Sequence, residues 1–342
     1  MKRAKQVTIY DIAKNVQVSP ATVSRALKDH YSISKETIQN VKKAAKQMGY
    51  FPNTPASSLR SKKTNTIGVM VSRINRPFIS TLISGVEEVA NSKGYHVFIA
   101  QSEDMTQKEI SNARAMFSAR VDGLIVSLAM ETHDYGHFDV FLDSGTPLVF
   151  VDRVPANMAA DKVVVDNYEA AFKMTQHLIE QGCNRIAHFG GAQHRDVYRL
   201  RKEGYLAALK QHNLPIDESL MIYSNLGAEE GLEMTQRLFD LPVPPDAIFS
   251  ANDTAAVSAI QFAKDKGIAI PKELAVAGFN NDRLASIIAP ALTTVANPAF
   301  DLGKAAASQL FAQREENDMV ASNTTVLKTE LIVRESSLKK GR

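Results

Sequence analysis

The chain has a single cysteine, Cys183, in 342 residues. A disulfide within the chain and a metal site built from several thiolates are therefore excluded. No apolar run approaches the roughly 18 residues that suggest a membrane-spanning helix, and no apolar signal core follows the basic N-terminus. We expect a protein that stays in the reducing cytoplasm.

The common catalytic motifs are also absent. The sequence has no Gly-x-Ser-x-Gly, no Gly-x-x-x-x-Gly-Lys and no His-Glu-x-x-His, which argues against a serine hydrolase, a P-loop protein and a zinc protease. His188 lies within a predicted strand and is interpreted as a core histidine. We predict no catalytic residue, no metal site and no cofactor.

Positive charge is concentrated at one end of the chain. Residues 1–63 contain 13 Lys or Arg and 3 Asp or Glu, a net charge of +10, whereas the whole chain carries +3. The remainder is therefore net negative, at −7. A basic head on an acidic body is the pattern expected of a protein that binds nucleic acid through its head.

Residues 8–27 predict two short helices joined by a tight turn. Thr8, followed by Asp11, is a capping-box-like start for the first helix. Ser19 is a strong N-cap for the second helix, and Pro20 occupies its first position, where a missing N–H is harmless. This is the pattern of a helix-turn-helix.

The second helix of this pair has a surface suited to a DNA groove. Only Val23 and Leu27 are expected to face inward, at i and i+4. The outward residues are small or polar and surround one guanidinium, which is what a recognition helix needs to reach base edges. They are Pro20, Ala21, Thr22, Ser24 and Arg25. An ordinary helical hairpin is the alternative, which the charge distribution disfavours.

A third helix and a linker follow. Ser34 caps the third helix and Gly49 ends it. Residues 50–64 are small, polar and basic, with one exposed leucine, Leu59, and are interpreted as a linker. A helical turn starting at Asn53 is compatible with this segment but too short to be stable alone.

The head and linker resemble the DNA-binding headpiece and hinge of the LacI/GalR family of bacterial transcription regulators, and the resemblance continues to the C-terminus. It rests on these segments: Thr8-Ile9-Tyr10-Asp11-Ile12-Ala13, Val18-Ser19, Ala21-Thr22-Val23-Ser24-Arg25, Gly49-Tyr50, Pro52-Asn53, Ala56-Ser57-Ser58-Leu59, Thr66-Ile67-Gly68-Val69, Arg120-Val121-Asp122-Gly123-Leu124, Ala251-Asn252-Asp253 and Pro290-Ala291-Leu292-Thr293-Thr294-Val295.

The resemblance implies a set of DNA contacts in the headpiece and hinge. In such proteins the hinge folds into a short helix on the operator, and its leucine, here Leu59, wedges into the minor groove. Pro55 departs from the valine that is common in the family. The residues carried over are Thr8, Tyr10, Ser19, Pro20, Ala21, Thr22, Ser24, Arg25, Tyr50, Asn53, Ala56 and Leu59.

From residue 67 onward, short apolar runs alternate with amphipathic stretches of helix length. This alternation predicts an α/β body of parallel sheets covered by helices on both faces. Strands are expected at 67–72, 97–100, 124–127, 148–151, 163–165, 186–190, 247–250 and 274–278. Helices are expected near 78–92, 107–118, 169–180, 200–211, 229–239 and 254–266.

The resemblance divides this body into two lobes of doubly wound parallel sheet, like a periplasmic binding protein, with a small molecule between them. The full organisation is then a three-helix helix-turn-helix headpiece (1–52), a hinge (53–64) and a body for effector binding and dimerisation (65–342). The first lobe is expected at about 65–160 and 296–323. The second is expected at about 161–292 and 325–338, with crossovers near 160–163, 291–298 and 323–327.

Polar residues follow several predicted strands, where ligands bind in open α/β sheets. Asn, Asp and Arg groups with one aromatic ring suit a polyhydroxylated effector, since each desolvated hydroxyl needs a hydrogen-bond partner. The effector-site candidates from this pattern and the resemblance are Asn75, Phe78, Asp152, Arg153, Arg195, Arg201, Asn252 and Asn280.

Individually these residues have simpler interpretations. Asn252 is equally suited to cap a helix, Asp152 to lie in a surface loop and Phe78 to lie in the core. Two departures from the family pattern also bear on the effector: Asn280 replaces a common aspartate, and Leu226 replaces a common aromatic ring.

Three arginines among the candidates leave the charge of the effector open. Guanidinium groups pair well with anions, so the effector could be a uronate, a sugar phosphate or another anion instead of a neutral hexose. The three arginines are Arg153, Arg195 and Arg201.

We therefore predict a homodimeric, effector-responsive regulator, a repressor of carbohydrate uptake or breakdown, that binds a near-palindromic double-stranded operator. A sugar or sugar derivative would change lobe closure and so the spacing of the two linkers. Competing classes are a sugar-transport protein, which the basic head disfavours, and a sugar-processing enzyme, which would need a catalytic carboxylate pair. The sequence does not identify the effector or the operator. It also leaves open whether the effector is an inducer or a corepressor, and whether the protein is a dimer or a tetramer.

Overall fold

The computed structural model describes residues 7–50, 63–315 and 322–339. The chain divides into two compact units, 1–64 and 65–342. We call them the headpiece and the body. The predicted division of the hinge from the headpiece falls on residues 51–62, outside the described part of the chain.

The headpiece contains three helices, α1 (Ile9–Asn15), α2 (Pro20–Ala26) and α3 (Lys35–Gln47). The Asp11 carboxylate accepts the Thr8 main-chain N–H at 2.8 Å, and the Ser19 hydroxyl accepts the Thr22 N–H at 3.1 Å. Both side chains satisfy N–H groups that a helix start leaves unpaired. The predicted starts of α1 and α2 are therefore confirmed.

The headpiece core forms where the three helices meet. Ile12, Val23 and Val41 are fully buried there. The prediction that only Val23 and Leu27 face inward from α2 is wrong in one respect, because Ala26 is also fully buried and Leu27 only partly. Ala26 lies three residues after Val23, on the same face of the helix.

The body contains twelve strands and nine further helices within the described residues. The strands are β1 (Thr66–Val71), β2 (His96–Gln101), β3 (Leu124–Val126), β4 (Leu148–Val151), β5 (Asp161–Val165), β6 (Ile186–Gly190), β7 (Met221–Tyr223), β8 (Ala247–Ser250), β9 (Ala275–Ala277), β10 (Thr294–Ala296), β11 (Thr324–Leu327) and β12 (Glu330–Ile332). The helices are α4 (Pro77–Ser92), α5 (Thr106–Ser118), α6 (Asp139–Asp143), α7 (Asn167–Glu180), α8 (Asp196–Gln211), α9 (Ala228–Phe239), α10 (Asp253–Asp265), α11 (Arg283–Ile287) and α12 (Ala299–Glu315).

The strands build one parallel sheet in each lobe. The first lobe has six strands in the order β11-β5-β4-β3-β1-β2, and the second has four in the order β7-β6-β8-β9. Strands β10 and β12 form an antiparallel pair. Single parallel bridges link residues around β9 to residues around β10, from Ala277 to Thr293 and from Asn280 to Ala296. The α/β body of parallel sheets is as predicted.

The passage between the lobes differs from the prediction. Strand β5, expected to begin the second lobe at residue 161, pairs with β4 and β11 in the sheet of the first lobe. Its Val163 and Val165 are buried in the first-lobe core. Strand β11 likewise stays in that sheet, so the chain passes to the second lobe after Val165 and again after Leu327, later than expected.

The central strands of each sheet are covered on both faces, which explains why they are continuously apolar. Successive residues of a strand point to opposite faces. Thus Val69 of β1 joins a core cluster with residues of α4 and α12, whereas Met70 joins one with residues of α5. In β6, Ile186 and Phe189 likewise enter separate clusters.

Two glycines allow α4 and α12 to cross closely. A Cβ atom on Gly85 would overlap the main-chain carbonyl of Phe300, and one on Gly303 would overlap that of Leu82. A larger residue at either position would push the helices apart and disturb the first-lobe core. No helix in the described ranges is long and apolar enough to cross a membrane.

Candidate functional site

The exposed face of α2 is small and polar, with one long cation. Ala21 and Arg25 are exposed, and Pro20, Thr22 and Ser24 are partly exposed. The Arg25 guanidinium has no hydrogen bond or ion pair to another described residue. It can therefore reach an external partner without breaking an internal contact.

Four further residues of the predicted contact set lie within the described headpiece, namely Thr8, Tyr10, Ser19 and Tyr50. The Ser19 and Thr22 hydroxyls hydrogen bond to each other at 2.9 Å, and the Thr8 hydroxyl donates to Asp11 at 2.7 Å. Tyr10 is 69% exposed on α1, whereas Tyr50 is partly buried against the headpiece core. Asn53, Ala56 and Leu59 lie outside the described residues.

Sequence reasoning missed one exposed aromatic residue of the headpiece. Tyr31, between α2 and α3, is 94% exposed and stacks on His30 with ring centroids 4.4 Å apart. Its hydroxyl is available to a phosphate oxygen of a nucleic acid. The sequence feature that could have identified Tyr31 is an aromatic residue in the polar turn that follows α2.

The body has a cleft between the lobes, where the carboxyl ends of the two sheets face each other. Several non-glycine residues there have positive φ: Asp152 (+62°), Leu226 (+57°) and Asn280 (+119°). Such conformations cost of order 1–3 kcal/mol each and cluster at functional sites. The cleft is therefore the candidate effector site of the body.

Arg201 is a buried cation of the cleft that still has a free donor. It is buried on α8, where Nε donates to the Asn167 Oδ1 at 2.8 Å and Nη1 donates to the Ala251 carbonyl at 2.6 Å. The guanidinium also lies 3.5 Å from the centroid of the Phe279 ring. Its Nη2 has no hydrogen-bond partner among the described residues, which leaves a donor for a ligand.

Asp152, at the end of β4, provides an acceptor in the opposite lobe. Burial raises the pKa of its carboxyl, while the charges of Arg153 and Arg201 lower it. Burial lowers the pKa of Arg201 to about 10, and Asp152 opposes that shift. The two groups interact across the cleft without a direct ion pair, so a ligand hydroxyl has room to bridge them.

Arg153 is already paired. Its Nη1 donates to the Asp104 carboxylate at 2.5 Å, and its Nη2 donates to the Tyr198 hydroxyl at 3.1 Å. Burial alone would lower the pKa of Arg153, but Tyr198 and Asp104 raise it overall. Because Tyr198 lies on α8 and Arg153 follows β4, this contact joins the two lobes.

Arg195 is a second link between the lobes, so its guanidinium is not free to bind a ligand. Its side chain is 1% exposed, and Nη2 donates to the main-chain carbonyls of Ala129 and Thr132 in the first lobe. The neighbouring His194 contacts the Met130 carbonyl through Nε2 at 2.7 Å. Sequence reasoning found Arg195 but could not show that its partners are carbonyls more than sixty residues away.

Asn252 caps a helix, which was the simpler of the two interpretations of this residue in the sequence. Its Oδ1 accepts the Ala255 N–H at 3.0 Å at the start of α10, and its Nδ2 donates to the Leu226 carbonyl at 2.8 Å. The Leu226 side chain is buried in the second-lobe core. It therefore offers no ring-stacking surface to the cleft.

Asn280 retains hydrogen-bonding capacity. Its Oδ1 accepts from the Asn297 Nδ2 at 3.2 Å, while the Asn297 Oδ1 is buried with no partner among the described residues. Sequence reasoning did not include Asn297, which follows β10 at one of the crossovers. We call Asp152, Arg201 and Asn280 the inner cluster.

A cavity of about 600 Å³ lies between the lobes on the side of β2 and β7, and we call it the outer cavity. Among the predicted effector residues, Asn75 lines it. Phe78 is partly buried on α4 and packs against the first-lobe core. No group of residues in the described ranges is arranged to hold a metal ion.

Two family models match the chain, one in the headpiece and one in the body. Residues 8–53 match the family described as "Bacterial regulatory proteins, lacI family", and residues 175–337 match the "Periplasmic binding protein-like domain". Over 343 residues, the chain is 32% identical to the HTH-type transcriptional repressor CytR of Escherichia coli strain K12. That match covers 98% of this chain and 99% of the relative.

Two solved structures are similar across the chain. The complex of transcriptional regulator CelR with cellobiose superposes with a TM-score of 0.73 at 27% identity, covering 97% of this chain and 100% of that chain. The Lac repressor dimer, bound to operator and the anti-inducer ONPF, gives a TM-score of 0.86 at 23% identity, covering 98% and 100%. At 23% identity, the similarity to the Lac repressor shows the fold alone.

Proposed function

The chain belongs to the LacI family of bacterial regulatory proteins, and we propose that it represses carbohydrate-utilisation genes under control of a sugar or sugar derivative bound between its lobes. It is a DNA-binding transcriptional regulator rather than an enzyme. The observation that carries the effector proposal is the pair formed by partly buried Asp152 and buried Arg201 on opposite sides of the cleft, with an unused guanidinium donor.

The contacts of the three arginines favour a neutral sugar over an anion. Arg153 is paired with Asp104, and Arg195 is bound to main-chain carbonyls. Arg201 keeps a donor but faces the carboxyl of Asp152. A ligand hydroxyl can both donate to Asp152 and accept from Arg201, whereas a phosphate dianion or a carboxylate can only accept. The similarity to CelR, solved with cellobiose, points the same way.

The operator complex is proposed to contain a homodimer. The edge strand β2 carries exposed Phe98 and Ile99, and an apolar groove beside it is lined by Ile74, Ile83 and Ile99. An exposed apolar patch of this kind is typical of an interface with a second copy. Two headpieces on a two-fold dimer would bind a near-palindromic operator, in the cytoplasm where the chromosome lies.

The headpiece contacts follow from the exposed face of α2. We propose Arg25 as the base-reading residue, with Ala21 and Pro20 in apolar contact and Thr8, Tyr10, Ser19, Thr22, Ser24 and Tyr50 as flanking contacts. The corresponding proposal for Asn53, Ala56 and Leu59 as hinge contacts rests on the family resemblance.

Replacing Arg25 by alanine tests base reading. We expect Arg25→Ala to weaken operator binding by roughly 1–3 kcal/mol, because a guanidinium can pair with two acceptors of one guanine. Affinity for random DNA should change little. Fluorescence anisotropy at one fixed salt concentration measures both, with Lys14→Ala on the exposed side of α1 as control. Equal weakening on both DNAs would make Arg25 a phosphate contact instead.

A ligand screen tests the effector proposal. Thermal unfolding of the full chain should be shifted upward by at least one compound among neutral sugars, sugar phosphates and uronates, since a ligand of the folded state stabilises it. The same compound should change operator affinity. If no compound in these three classes shifts unfolding, the carbohydrate effector proposal is overturned.

A further inference from the structure

Residues 129–132, in the segment after β3, join the first lobe to the second, and we call them the clasp. One side of the clasp is bound within the first lobe by Glu109 of α5. The Glu109 carboxylate is fully buried and accepts the Ala129 N–H at 2.5 Å and the Thr132 hydroxyl at 2.8 Å. Hydrogen bonds to a charged acceptor are stronger than those between neutral groups. Glu109 therefore holds these two residues in one orientation.

The second lobe binds the same two residues through Arg195. Its Nη2 donates to the main-chain carbonyls of Ala129 and Thr132. The anion of Glu109 therefore binds the N–H and hydroxyl groups, and the cation of Arg195 binds the carbonyls. Each charge contacts the end of the dipole that it attracts, and such bonds polarise one another and become stronger in a buried site.

Side chains in and beside the clasp add further contacts with the second lobe. The side chain of Met130 is buried in the same core cluster as Val197 and Tyr198. The Met130 carbonyl contacts the Nε2 of His194 at 2.7 Å. His133, the residue after the clasp, lies against His194 with ring centroids 4.0 Å apart. All of these contacts join groups of the chain itself.

Glu109 and Arg195 also interact through their charges, although the clasp lies between them. Burial lowers the pKa of Arg195, and Tyr135 and Glu109 oppose that shift. Glu109 has one other contact of this kind, with the Nε2 of His137 at 3.0 Å within the first lobe. Removing one of two interacting buried charges is costly, because the other is left without its counter-charge. Loss of either Glu109 or Arg195 should therefore favour separation of the lobes.

We propose that Glu109 and Arg195 are positioning residues that hold the two lobes together through the clasp, and that they thereby set the operator affinity of the protein before an effector binds. This inference rests on the coupling between lobes and headpiece in the proposed function, but not on the chemistry of the effector. An effector that changes lobe closure then acts on a closed arrangement that the contacts of the chain already favour.

Hydrogen exchange of the full chain tests whether the clasp holds the lobes together. Main-chain amides of residues 194–198 lie at the contact with the clasp, so separation of the lobes should expose them to water. We expect at least five-fold faster exchange there in Arg195→Met and in Glu109→Gln. The double variant should exchange more slowly than the product of the two single effects predicts, because neither charge is left alone. Arg199→Met is the matched control, since Arg199 pairs only with Asp196 and Glu203 of its own helix, and it should stay within two-fold of wild type.

Operator affinity in the absence of effector tests the consequence for DNA binding. Fluorescence anisotropy should show a change of at least five-fold in Arg195→Met and in Glu109→Gln, and less than two-fold in Arg199→Met. The two single effects should again not multiply in the double variant, which separates a pair of positioning residues from two independent structural contacts. Met130→Ala keeps both charges and removes only the side chain that enters the second-lobe core. It should also speed exchange at 194–198, and it tests the clasp even if Arg195→Met does not fold.

Three results would overturn the inference. If residues 194–198 exchange in the folded variants as they do in wild type, the clasp does not hold the lobes together. If exchange becomes faster but the single effects multiply in the double variant, Glu109 and Arg195 do not act as a pair. If exchange becomes faster but operator affinity stays within two-fold, the clasp does not set DNA binding. None of these measurements uses a sugar, so the carbohydrate effector stands or fails separately in the ligand screen.

Discussion

The Arg201→Ala variant is expected to lose its response to the effector while still binding the operator. The unused Nη2 of Arg201 is a charged donor in a buried site, and hydrogen bonds to charged groups contribute about 1.5–3 kcal/mol each. Loss of that donor should weaken effector binding roughly 10- to 100-fold, because the ligand oxygen it holds is left without a partner. Operator affinity without effector should stay within two-fold, since losing ligand contact removes only the ligand's shift of the equilibrium.

A matched variant separates ligand contact from support of the fold. Arg201 also bonds to Asn167 and to the Ala251 carbonyl, so Arg201→Ala removes structural contacts as well. Asn167→Ala removes one of those contacts but keeps the Nη2 donor. We expect both variants to lower the melting temperature, and only Arg201→Ala to lose effector binding. Equal effector affinity in wild type and Arg201→Ala would place the site elsewhere.

The stability of the body is expected to depend on pH through His188. This side chain is fully buried, and its Nδ1 contacts the Phe249 carbonyl at 3.0 Å. Burial lowers its pKa from 6.5 to about 4. The unfolded chain takes up this proton near pH 6.5 and the folded chain only near pH 4. The contribution is therefore fully present above pH 6.5 and is lost as the pH falls toward 4.

The size of this effect is about 3 kcal/mol across that window, at roughly 1.36 kcal/mol for each pKa unit. Urea unfolding of wild type and His188→Phe between pH 4 and 7 measures it. The phenylalanine keeps a ring beside Tyr205, whose centroid lies 5.1 Å away, and cannot take up a proton. The stability difference, wild type minus variant, should fall as the pH falls. A difference that is constant with pH would contradict a neutral buried His188.

Asp253 provides a control, because its contribution to stability should change with pH in the opposite direction to that of His188. It is 1% exposed and accepts from the Thr294 hydroxyl and the Asp282 N–H, both at 2.6 Å. Burial raises its pKa to about 7 from 3.8. Its folded state holds a proton that the unfolded state has lost, so its contribution to stability falls as the pH rises from about 4 to 7. Comparing wild type with Asp253→Asn should therefore give the opposite slope.

Local signals explain why the headpiece could be predicted in detail. The caps at Thr8 and Ser19 involve residues three positions along the chain, and the inward spacing of Val23 depends only on the period of a helix. The continuous apolar strands of the body could likewise be predicted, because a strand buried on both faces has no polar alternation. Such features are set by neighbours in the chain.

Elements that depend on distant partners were harder to predict. The sequence does not show that β5 and β11 pair with each other, because their partner choice is decided by packing between residues about 160 positions apart. Helix α12 was not predicted, since alanines at 305–307 blur the apolar stripe that marks an amphipathic helix. Strand β7 has three residues at a sheet edge and gives little pattern.

The side chains of the cleft show the same contrast between features set by the local sequence, which could be predicted, and contacts with distant segments, which could not. Position at strand ends brought Asp152 and Asn280 into the set of candidates, as expected for open α/β sheets, whereas Arg201, which lies within α8, came from the family resemblance. Sequence reasoning could not show that Arg153 is neutralised by Asp104, or that Asn252 is committed to a helix cap. Those partners come from other segments, and they decide which polar groups remain for a ligand.

The central claim is that a ligand in the cleft and DNA at the headpiece are thermodynamically coupled. The most direct test measures operator affinity with and without the effector found in the screen, and effector affinity with and without the operator, at one salt concentration. Linkage requires the two ratios to be equal, and we expect each to be about 5- to 150-fold, the usual range of allosteric coupling. An effector that binds the body but leaves operator affinity unchanged would contradict the account.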